Sequence, residues 1–296
     1  MRQYLNLLRE VYENGEWKEP ARTNLPRTKE IFCSTMTFDL SEGFPLITTK
    51  KMFIKGFVAE LLWFLKGSTN IKELVDQGVH IWDDDAYRYY KMRGGGLPKE
   101  PWLDMVKAGT WSRDTRADFG DLGKVYGYQW RCFRGMYDQI KRLITNIKLR
   151  PNSRYHLVTA WDPTEFFEFQ SAALPTCHIL FQCSVTNGRL DLMMLQRSCD
   201  MVLGVPFDIA EYALLCHMIA AECDLKPGIF TWVGNSIHIY ENHLDQVKEL
   251  LSREPYELCT LKLNKRNSIF GYTLADIKFE NYKCHPAIKA KLNTGL

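Results

Sequence analysis

Two strand-like runs separated by Asn187-Gly188 restrict the fold of this chain more than any other feature. The runs are ILFQCSV at 179–185 and RLDLMML at 189–195. Asn and Gly tolerate the positive φ angles that the two central residues of a tight hairpin turn require. The sequence therefore predicts a β-hairpin in which these two strands lie side by side.

Helical periodicity marks three further segments. Residues 2–14 place apolar side chains on one face, with Gly15 as a stop, and residues 52–66 (MFIKGFVAELLWFLK) are apolar almost all round, which predicts a buried helix. Residues 209–222 form another apolar helix. Further strands are predicted at 31–44, 229–233, 237–240 and 259–263. Long buried helices with mostly hairpin-linked strands indicate an α+β fold.

Residues 92–119 differ in character from the rest of the chain. Three consecutive glycines at 94–96, two prolines and scattered charges interrupt the packed pattern there. Because glycine and proline break regular elements, we interpret this stretch as an inserted loop or small subdomain. A length of 296 residues allows one domain or two. We predict a single domain over residues 1–296 with this small insertion.

Composition excludes several classes of protein. Hydrophobic residues at 46% suffice for a substantial core, and a formal charge of +3 argues against a nucleic-acid coat. The nine cysteines include no C-x-x-C pair, so we expect no metal site. Glu211 and His217 interrupt the longest apolar run, which argues against a membrane span. We expect a soluble protein of the reducing cytoplasm (host cytoplasm if the chain is viral), with no nucleic acid or membrane as partner.

A cysteine and a polar run are candidates for chemistry, although each has a structural explanation. Cys177 is a possible nucleophile, but most intracellular cysteines are structural. His178 adds little weight, because neighbours on a strand point to opposite faces. Residues 196–200 (QRSCD) carry the groups that hold a phosphate, and they also fit a solvated strand end. At this point both interpretations stand.

Two carboxyl groups lie in apolar helical surroundings. Glu60 sits among aromatic and aliphatic residues, where it needs either an arginine partner or a raised pKa that lets it move protons. Asp208 and Glu211 have the spacing of a capping box ahead of an apolar helix. On local pattern alone, capping explains Asp208 better than any catalytic role.

Several sequence segments occur together in a fixed order along the chain. They include 43–51 (GFPLITTKK), 59–71 (AELLWFLKGSTNI), 81–83 (IWD), 120–131 (GDLGKVYGYQWR), 151–154 (PNSR), 173–178 (ALPTCH), 196–200, 203–215 (LGVPFDIAEYALL) and 238–243 (HIYENH). From about residue 22 to residue 290 the chain thereby resembles the thymidylate synthase family. The resemblance implies an α+β fold with long buried helices, in which a bent mixed sheet packs back to back in a homodimer. It also implies a nucleoside monophosphate as substrate and 5,10-methylenetetrahydrofolate as co-substrate.

The same resemblance implies roles for matching positions. Cys177 is the implied nucleophile that adds to C6 of the pyrimidine, and Glu60 and Tyr126 are the implied groups for proton transfer and water ordering. Addition of a thiolate at C6 makes chemical sense, because C5 is a poor nucleophile until it becomes an enamine. The implied nucleotide contacts are Arg22, Gln196, Arg197, Ser198, Asp200, His238, Tyr240 and, across a subunit interface, Arg154. The implied folate contacts are Lys50, Trp82, Leu174, Asp200, Gly204 and Phe207.

Asp208 departs from the family members that use dUMP, which have asparagine there. An asparagine amide donates to uracil O4, whereas a carboxyl group accepts from the N4 amino group of cytosine and shares a proton with N3. The sequence therefore favours a cytidine monophosphate. With this context, the cytosine interpretation replaces the capping interpretation, and Asp208 joins the implied catalytic residues.

A second departure concerns the product. After Trp82 and Asp83 the chain continues with Asp84 and Asp85, where the family commonly has an aromatic residue, and the C-terminus KLNTGL lacks the apolar tail that closes over the folate. A wetter site lets water capture the exocyclic methylene. We predict a 5-hydroxymethyl product and tetrahydrofolate, which resembles the phage deoxycytidylate hydroxymethylases. Alternatives are a dCMP methylase that yields dihydrofolate, a dUMP-using thymidylate synthase, and a non-catalytic nucleotide- or RNA-binding protein with the same fold.

Sequence departures near the expected phosphate site leave two sugars open for the substrate, ribose and deoxyribose. Tyr155 stands where the family usually has a second phosphate-binding arginine, and the N-terminal loop reads RTNLPRT. Arg22 or Arg27 could reach the phosphate, and we favour Arg22 because its Arg-Thr pair aligns directly. CMP remains an alternative substrate, although Ser198, as in the deoxynucleotide enzymes, favours dCMP.

Overall fold

The computed structural model describes residues 1–20, 25–168, 170–291 and 293. Arg22, one of the implied phosphate contacts, therefore lies outside the described residues, and so do the last three residues of the C-terminal tail. Within the described ranges the fold is α+β, as predicted: a bent mixed sheet carries several helices.

Six strands of the described chain form the main sheet in the order β1-β2-β8-β7-β6-β5. The predicted hairpin is confirmed: β6 and β7 are antiparallel, and Asn187 and Gly188 have φ angles of 51° and 72°. Two small pairs, β3-β4 and β9-β10, lie outside this sheet. The strands are β1 (Glu16–Lys18), β2 (Thr28–Asp39), β3 (Trp111–Ser112), β4 (Ala117–Asp118), β5 (Leu157–Thr159), β6 (His178–Thr186), β7 (Arg189–Asp200), β8 (Lys226–Tyr240), β9 (Thr260–Leu263) and β10 (Ile277–Glu280).

Strand β8 differs from the sequence expectation. It is one strand rather than two, because the ladder with β7 continues through Gly234 and Ser236, which pair with Gln196 and Ser198. It also runs parallel to β7, so a hairpin does not join them. A parallel pair needs a long crossover connection, which a helix supplies.

The helices follow the predicted apolar segments closely. The crossover helix α8 and the helix α2 are buried along most of their length and pack against each other. Gly67 ends α2 in a left-handed conformation, with φ of 75°. The helices are α1 (Arg2–Asn14), α2 (Ile54–Lys66), α3 (Lys72–Val75), α4 (Asp83–Met92), α5 (Lys99–Ala108), α6 (Tyr126–Cys132), α7 (Gln139–Leu149), α8 (Val205–Glu222) and α9 (Leu244–Ser252).

Strand β2 is shorter at its C-terminal end than the predicted range 31–44. It ends at Asp39, whose Oδ1 accepts hydrogen bonds from the backbone N–H of Ser41 at 2.9 Å and from its hydroxyl at 2.6 Å. Such a local side-chain bond offers the backbone a turn instead of the ladder. The chain then leaves the sheet and leads towards α2.

The segment 92–119 is packed against the rest of the protein. It contains α5 and the short pair β3-β4, and Trp102 in α5 is fully buried. The indole of Trp102 lies 5.2 Å from the Tyr87 ring of α4 and donates a hydrogen bond to the carbonyl of Phe119 at 2.8 Å. This segment therefore supports α4, whose first residues border the candidate site.

Candidate active site

Cys177 lies immediately before β6, between a buried tyrosine and an arginine. Its backbone N–H donates to the Oη of Tyr126 at 2.8 Å, and its carbonyl accepts from the backbone N–H of Arg197 at 2.9 Å. The guanidinium Nη2 of Arg197 is 3.9 Å from the Sγ of Cys177. The structure thus brings together three of the residues implied by the resemblance.

The charge state of the Cys177 thiol depends on competing influences. Burial raises its pKa above the ordinary value, Arg197 lowers it, and Asp208 raises it. A thiolate is the nucleophilic form of cysteine. Arg197 and, to a smaller extent, Tyr126 therefore favour the reactive form.

Arg197 is held in place by the loop that precedes Cys177. Its Nε donates to the carbonyl of Thr176 at 2.8 Å, and its Nη2 donates to the carbonyl of Pro175 at 2.7 Å. The guanidinium also lies 5.6 Å from the ring centre of Trp161. Because guanidinium has five N–H donors, the remaining ones can take a phosphate oxygen. Ser198 follows on β7 and is partly buried.

Asp208 lies in the first turn of α8 but does not cap it. The helix begins after Gly204, and the backbone N–H of Asp208 already donates to the Gly204 carbonyl at 3.1 Å. The capping-box interpretation is wrong, since the side chain caps no N–H group. Instead, Oδ2 accepts from the Nε2 of Gln196 at 2.7 Å, and Oδ1 lies 3.1 Å from the Nε2 of His178.

The orientation of Gln196 is fixed by a second bond. Its Oε1 accepts from the Nε1–H of Trp232 at 2.8 Å, and an indole nitrogen is only a donor. The amide nitrogen must therefore face away from Trp232, where it donates to Asp208 and, at 3.0 Å, to the Ser198 carbonyl. Any side chain at position 208 therefore faces the N–H donor of Gln196.

His178 belongs to the site, contrary to the small weight given to it in the sequence. Besides its contact with Asp208, its ring centre lies 5.1 Å from that of Tyr126 and 5.2 Å from that of Tyr212. The alternation argument fails because His178 is the first residue of β6 and the register of β6 with β7 shifts between His178 and Leu180. No spacing in the sequence identifies this position.

Glu60, on α2, accepts a hydrogen bond from an indole rather than from an arginine. Its Oε1 accepts from the Nε1 of Trp82 at 2.7 Å. Burial raises the pKa of Glu60 to about 8, although the Trp82 bond lowers it and Asp208 contributes to the rise. Of the two predicted arrangements for Glu60, an arginine partner or a raised pKa, the structure has the raised pKa. The raised pKa favours the protonated form of Glu60, which can give that proton up.

Tyr126 lies between the aromatic side chains near Glu60 and the backbone of Cys177. Its ring centre lies 6.2 Å from that of Trp82 and 4.9 Å from that of Phe64. Burial raises the pKa of this phenol well above its usual value, so it remains a neutral hydroxyl. Its Oη accepts from the Cys177 backbone, which leaves its own proton available to a substrate or a water.

The implied folate residues cluster where β7 passes into α8. Asp200 Oδ1 accepts from the N–H groups of Val202 at 2.8 Å and Leu203 at 3.2 Å, which orders the turn leading to Gly204. Lys50 is buried, donates to the Val202 carbonyl at 2.5 Å, and lies 5.6 Å from the ring centre of Phe207. Burial lowers the pKa of Lys50 to about 8. Partly buried Leu174 and Trp82 pack against the core.

The implied ribose contacts lie at the end of β8. His238 pairs with Asp200 across the parallel ladder, so both strands end at the same edge of the site. The rings of His238 and Tyr240 are 5.0 Å apart in an edge-to-face arrangement. His238 Nδ1 lies 3.1 Å from the carbonyl of Ser236.

The implied phosphate contacts outside β7 are not brought to Cys177 within the described chain. Arg154 and Tyr155 are exposed ahead of β5, the edge strand of the sheet, and the Arg154 carbonyl accepts from Gln182 at 3.1 Å. Arg27, the alternative to Arg22, pairs with Glu241 at 2.7 Å. Among the described residues, Arg197 is the phosphate-contact arginine that lies beside Cys177.

The two aspartates that follow Asp83 differ in their surroundings. Asp84 pairs with Lys99 at the surface of α5, whereas Asp85 pairs with Arg88 at 2.5 Å and is mostly buried. The charge of Asp85 makes a small contribution to the raised pKa of the Cys177 thiol.

In the described ranges, no group of three or more His, Cys, Asp or Glu side chains could hold a metal ion. Among the described helices, none is long and apolar enough to cross a membrane.

Comparisons with known proteins agree with this geometry. The family model described as thymidylate synthase matches residues 2–294. A thymidylate synthase of Francisella philomiragia is 46% identical over 305 aligned residues, which cover 99% of this chain and 100% of that protein. Another, from Francisella tularensis subsp. holarctica, is 47% identical over the same shares of both chains. The fold, the site and these matches together show that the chain belongs to the thymidylate synthase family.

Proposed function

We propose that this protein transfers the one-carbon unit of 5,10-methylenetetrahydrofolate to C5 of a cytidine monophosphate, preferably dCMP, and releases 5-hydroxymethyl-dCMP and tetrahydrofolate. Members of the family are folate-dependent C5 methyltransferases of pyrimidine nucleotides, and methylenetetrahydrofolate is their co-substrate. The identity of the base and the fate of the transferred carbon follow from residues specific to this chain.

The base assignment depends on the bond between Gln196 and Asp208. Because Trp232 fixes the amide of Gln196, residue 208 must offer an oxygen to it. An asparagine would accept the Gln196 bond with its only side-chain oxygen and would turn its amino group towards the base, where a donor suits uracil O4. Asp208 accepts from Gln196 through Oδ2, and its Oδ1, which lies 3.1 Å from the Nε2 of His178, has a second lone pair that suits the N4 amino group of cytosine. Opposing an acceptor to uracil O4 costs about 1–3 kcal/mol.

The same carboxyl group assists the chemistry at C6. A proton shared between Asp208 and N3 of cytosine withdraws electrons from the ring, which favours addition of the Cys177 thiolate. Addition forms the S–C6 bond and moves an electron pair to C5, which attacks the one-carbon unit of the folate. Tyr126, through water, then helps to remove the C5 proton, and elimination of tetrahydrofolate leaves an exocyclic methylene.

We base water capture of that methylene on the carboxyl groups of Glu60 and Asp85. Trp82 positions the Glu60 carboxyl, and Asp85 adds a second carboxylate that acts on Cys177. Charged groups retain water, whereas hydride transfer from tetrahydrofolate requires a dry site. A water ordered by Glu60 adds through its oxygen to the methylene carbon, and the electron pair re-forms the C5=C6 bond as the S–C6 bond breaks. The proton of that water passes to the departing sulfur, which regenerates the Cys177 thiol.

A homodimer completes the proposed phosphate site. Arg154 would reach the phosphate of the partner's active site, because within one chain it lies exposed at the edge of the sheet. The large exposed side chain of Phe32 on β2, 78% exposed, supports a covered sheet face. His238 and Tyr240 would hold the sugar hydroxyl, and Lys50, Phe207, Gly204 and Leu174 would surround the folate.

A second candidate function is methylation of dUMP. The comparisons on their own favour it over hydroxymethylation of dCMP, because the relatives that match the whole chain are named thymidylate synthase. The two functions differ in both base and folate product, so one experiment separates them.

The test is turnover of dCMP, CMP and dUMP with methylenetetrahydrofolate, with the products identified by mass. The proposal predicts a mass gain of a hydroxymethyl group on dCMP and no rise in dihydrofolate absorbance. Stoichiometric dihydrofolate with a methylated product would overturn the hydroxymethyl assignment. Faster turnover of dUMP than of dCMP would overturn the cytosine assignment. Nucleotide binding without tritium release from C5 would show a non-catalytic protein.

A further inference from the structure

His178 makes a contact with Asp208 that the chemistry described above does not use. Its Nε2 lies 3.1 Å from the Oδ1 of Asp208, and the exposed fractions of the two side chains are 8% and 13%. Two lone pairs would repel each other at this distance, so a proton lies between the two atoms. Imidazole is a stronger base than a carboxylate, which places that proton on the nitrogen.

The other ring nitrogen of His178 supports the same assignment. Its Nδ1 is buried and has no hydrogen-bond partner among the described residues. An unpaired buried N–H group is costly, so the tautomer that carries its proton on Nε2 is favoured. The ring lies between Tyr126 and Tyr212, whose ring centres are 5.1 Å and 5.2 Å away. His178 therefore presents an N–H group to Asp208 from a packed position.

Each carboxyl oxygen of Asp208 thus faces a different N–H group. Gln196 on β7 donates to Oδ2 at 2.7 Å, and His178, the first residue of β6, faces Oδ1. Gln196 and His178 are paired across the β6–β7 ladder, so the sheet fixes the positions of both donors. Donors that face both oxygens favour the ionised form of a carboxyl group.

Glu60 and Glu211, the other carboxyl groups near Asp208, lack such a pair of donors. The Oε1 of Glu60 accepts from Trp82, and the Oε1 of Glu211 has no partner among the described residues. Burial raises the pKa of both, which favours their neutral forms. Of the three, Asp208 has the surroundings of a carboxylate. The other titratable groups that interact with the charge of Asp208 are Cys177 before β6, Tyr126 on α6, Cys199 on β7 and Tyr212 on α8.

The charge on Asp208 decides whether uracil is rejected. A protonated carboxyl group has one donor and one acceptor, and this pair fits both N3 and N4 of cytosine and O4 and N3–H of uracil. A carboxylate has acceptors only, so it sets an acceptor against uracil O4. Keeping Asp208 ionised therefore acts against uracil more than it improves the contact with cytosine.

We propose that His178 is a positioning residue that sets base specificity, because its Nε2–H group keeps Asp208 in the carboxylate form that rejects uracil. This inference rests on the proposed use of a cytosine nucleotide. Without that N–H group, Asp208 takes up a proton more readily as the pH falls. The protonated side chain then donates to uracil O4, and dUMP becomes a better substrate.

The experiment measures kcat/KM for tritium release from C5 of dCMP and of dUMP between about pH 5.5 and pH 8. The wild-type ratio of the two values should not change with pH. His178→Phe keeps an aromatic ring between the two tyrosines but removes the N–H group. At the acid end we expect its ratio of dCMP over dUMP to fall about 10-fold below that of the wild type. His178→Gln, which carries an amide N–H group, should restore the wild-type ratio.

His217→Phe is the matched control, because His217 lies further along α8, where its ring centre is 5.9 Å from that of Phe44. It should leave the ratio unchanged at every pH. An equal loss of kcat/KM for both nucleotides in His178→Phe, with the wild-type ratio, would show a packing role and overturn the His178 proposal alone. A wild type that prefers dUMP would overturn the cytosine assignment, and the His178 proposal would fail with it.

A second measurement decides if His178→Phe does not fold. The infrared difference spectrum between wild type and Asp208→Asn isolates the bands of the Asp208 side chain. A carboxylate band at and above about pH 5.5 supports the proposal, and a protonated carboxyl band in that range overturns it.

Discussion

The side-chain amide of Gln196 donates to the Oδ2 of Asp208 at 2.7 Å, in an orientation that the indole of Trp232 fixes. Gln196 on β7 and Trp232 on the neighbouring strand β8 thus determine which edge of residue 208, on α8, is left for the base. A carboxylate at this position leaves an acceptor, whereas an amide would leave a donor. The discrimination between the two bases follows from this relationship.

Asp208→Asn should transfer the preference of the enzyme from cytosine to uracil. Gln196 would anchor the single oxygen of the new amide, and the amino group would turn towards the base. We expect the ratio of kcat/KM for dCMP over dUMP to fall by about 100-fold or more, because one mismatched hydrogen bond costs about 1–3 kcal/mol on each substrate. Steady-state kinetics with both nucleotides checks this, and an unchanged ratio would contradict it.

Cys177→Ala should abolish turnover while leaving nucleotide binding measurable. The substitution removes the sulfur that adds to C6 but none of the polar contacts to the base, sugar or phosphate. Calorimetric titration with dCMP, alongside tritium release from C5, measures both. Cys183→Ala provides the control, since Cys183 is buried in β6 away from the cavity. Residual tritium release in the Cys177 variant would exclude the proposed adduct.

Arg197→Met should make the Cys177 thiol less reactive. Arg197 lowers the pKa of a thiol that burial raises, so its loss leaves less thiolate at any pH near neutrality. We expect alkylation by iodoacetamide to slow by about 10-fold, which corresponds to a pKa rise of about one unit. Arg142→Met, at an exposed position on α7, should leave the rate unchanged. A faster alkylation in Arg197→Met would reverse the assigned role of this residue.

Glu60→Gln should remove part of the pH dependence of stability. The pKa of Glu60 is raised from an ordinary 4.5 to about 8, so the native state holds a proton that the unfolded chain releases. This group therefore lowers the free energy of unfolding as pH rises above about 4.5, by up to about 1.4 kcal/mol per pH unit, until the folded pKa is passed.

We expect the stability of Glu60→Gln relative to the wild type to increase between about pH 5 and pH 8. Urea unfolding at a series of pH values measures this difference. Glu73→Gln is the control, because Glu73 is partly exposed and pairs with Lys66 on the same side of the protein. Parallel stability curves for wild type and Glu60→Gln would show that Glu60 is ionised in the folded state.

Local sequence signals were sufficient for the elements that depend on local preferences. The Asn187-Gly188 turn and the apolar helix α2 both follow from residues within the element itself. The parallel pairing of β7 and β8 could not be predicted, because it depends on how α8 returns the chain to the sheet. Likewise, the end of β2 at Asp39 depends on a single Asp-Ser turn that the strand pattern conceals.

The sequence indicated which residues belong to the site but not which of their side chains contact one another. The resemblance named Cys177, Arg197 and Asp208, and the structure brings them together. The contact of His178 with Asp208 and the bond from Trp232 to Gln196 join residues 30 and 36 positions apart in the chain, and no motif records such pairings. The capping interpretation of Asp208 failed because Gly204 starts the helix one turn earlier.

The most direct measurement is competitive tritium release in two reactions that each contain dCMP and dUMP with methylenetetrahydrofolate. Only dCMP is tritiated at C5 in the first reaction, and only dUMP in the second. The ratio of the two release rates at equal concentrations gives the ratio of kcat/KM without any assumption about the product. If Asp208 recognises the amino edge of the base, release from dCMP should exceed release from dUMP by about 10-fold or more. Equal release, or faster release from dUMP, would contradict the account.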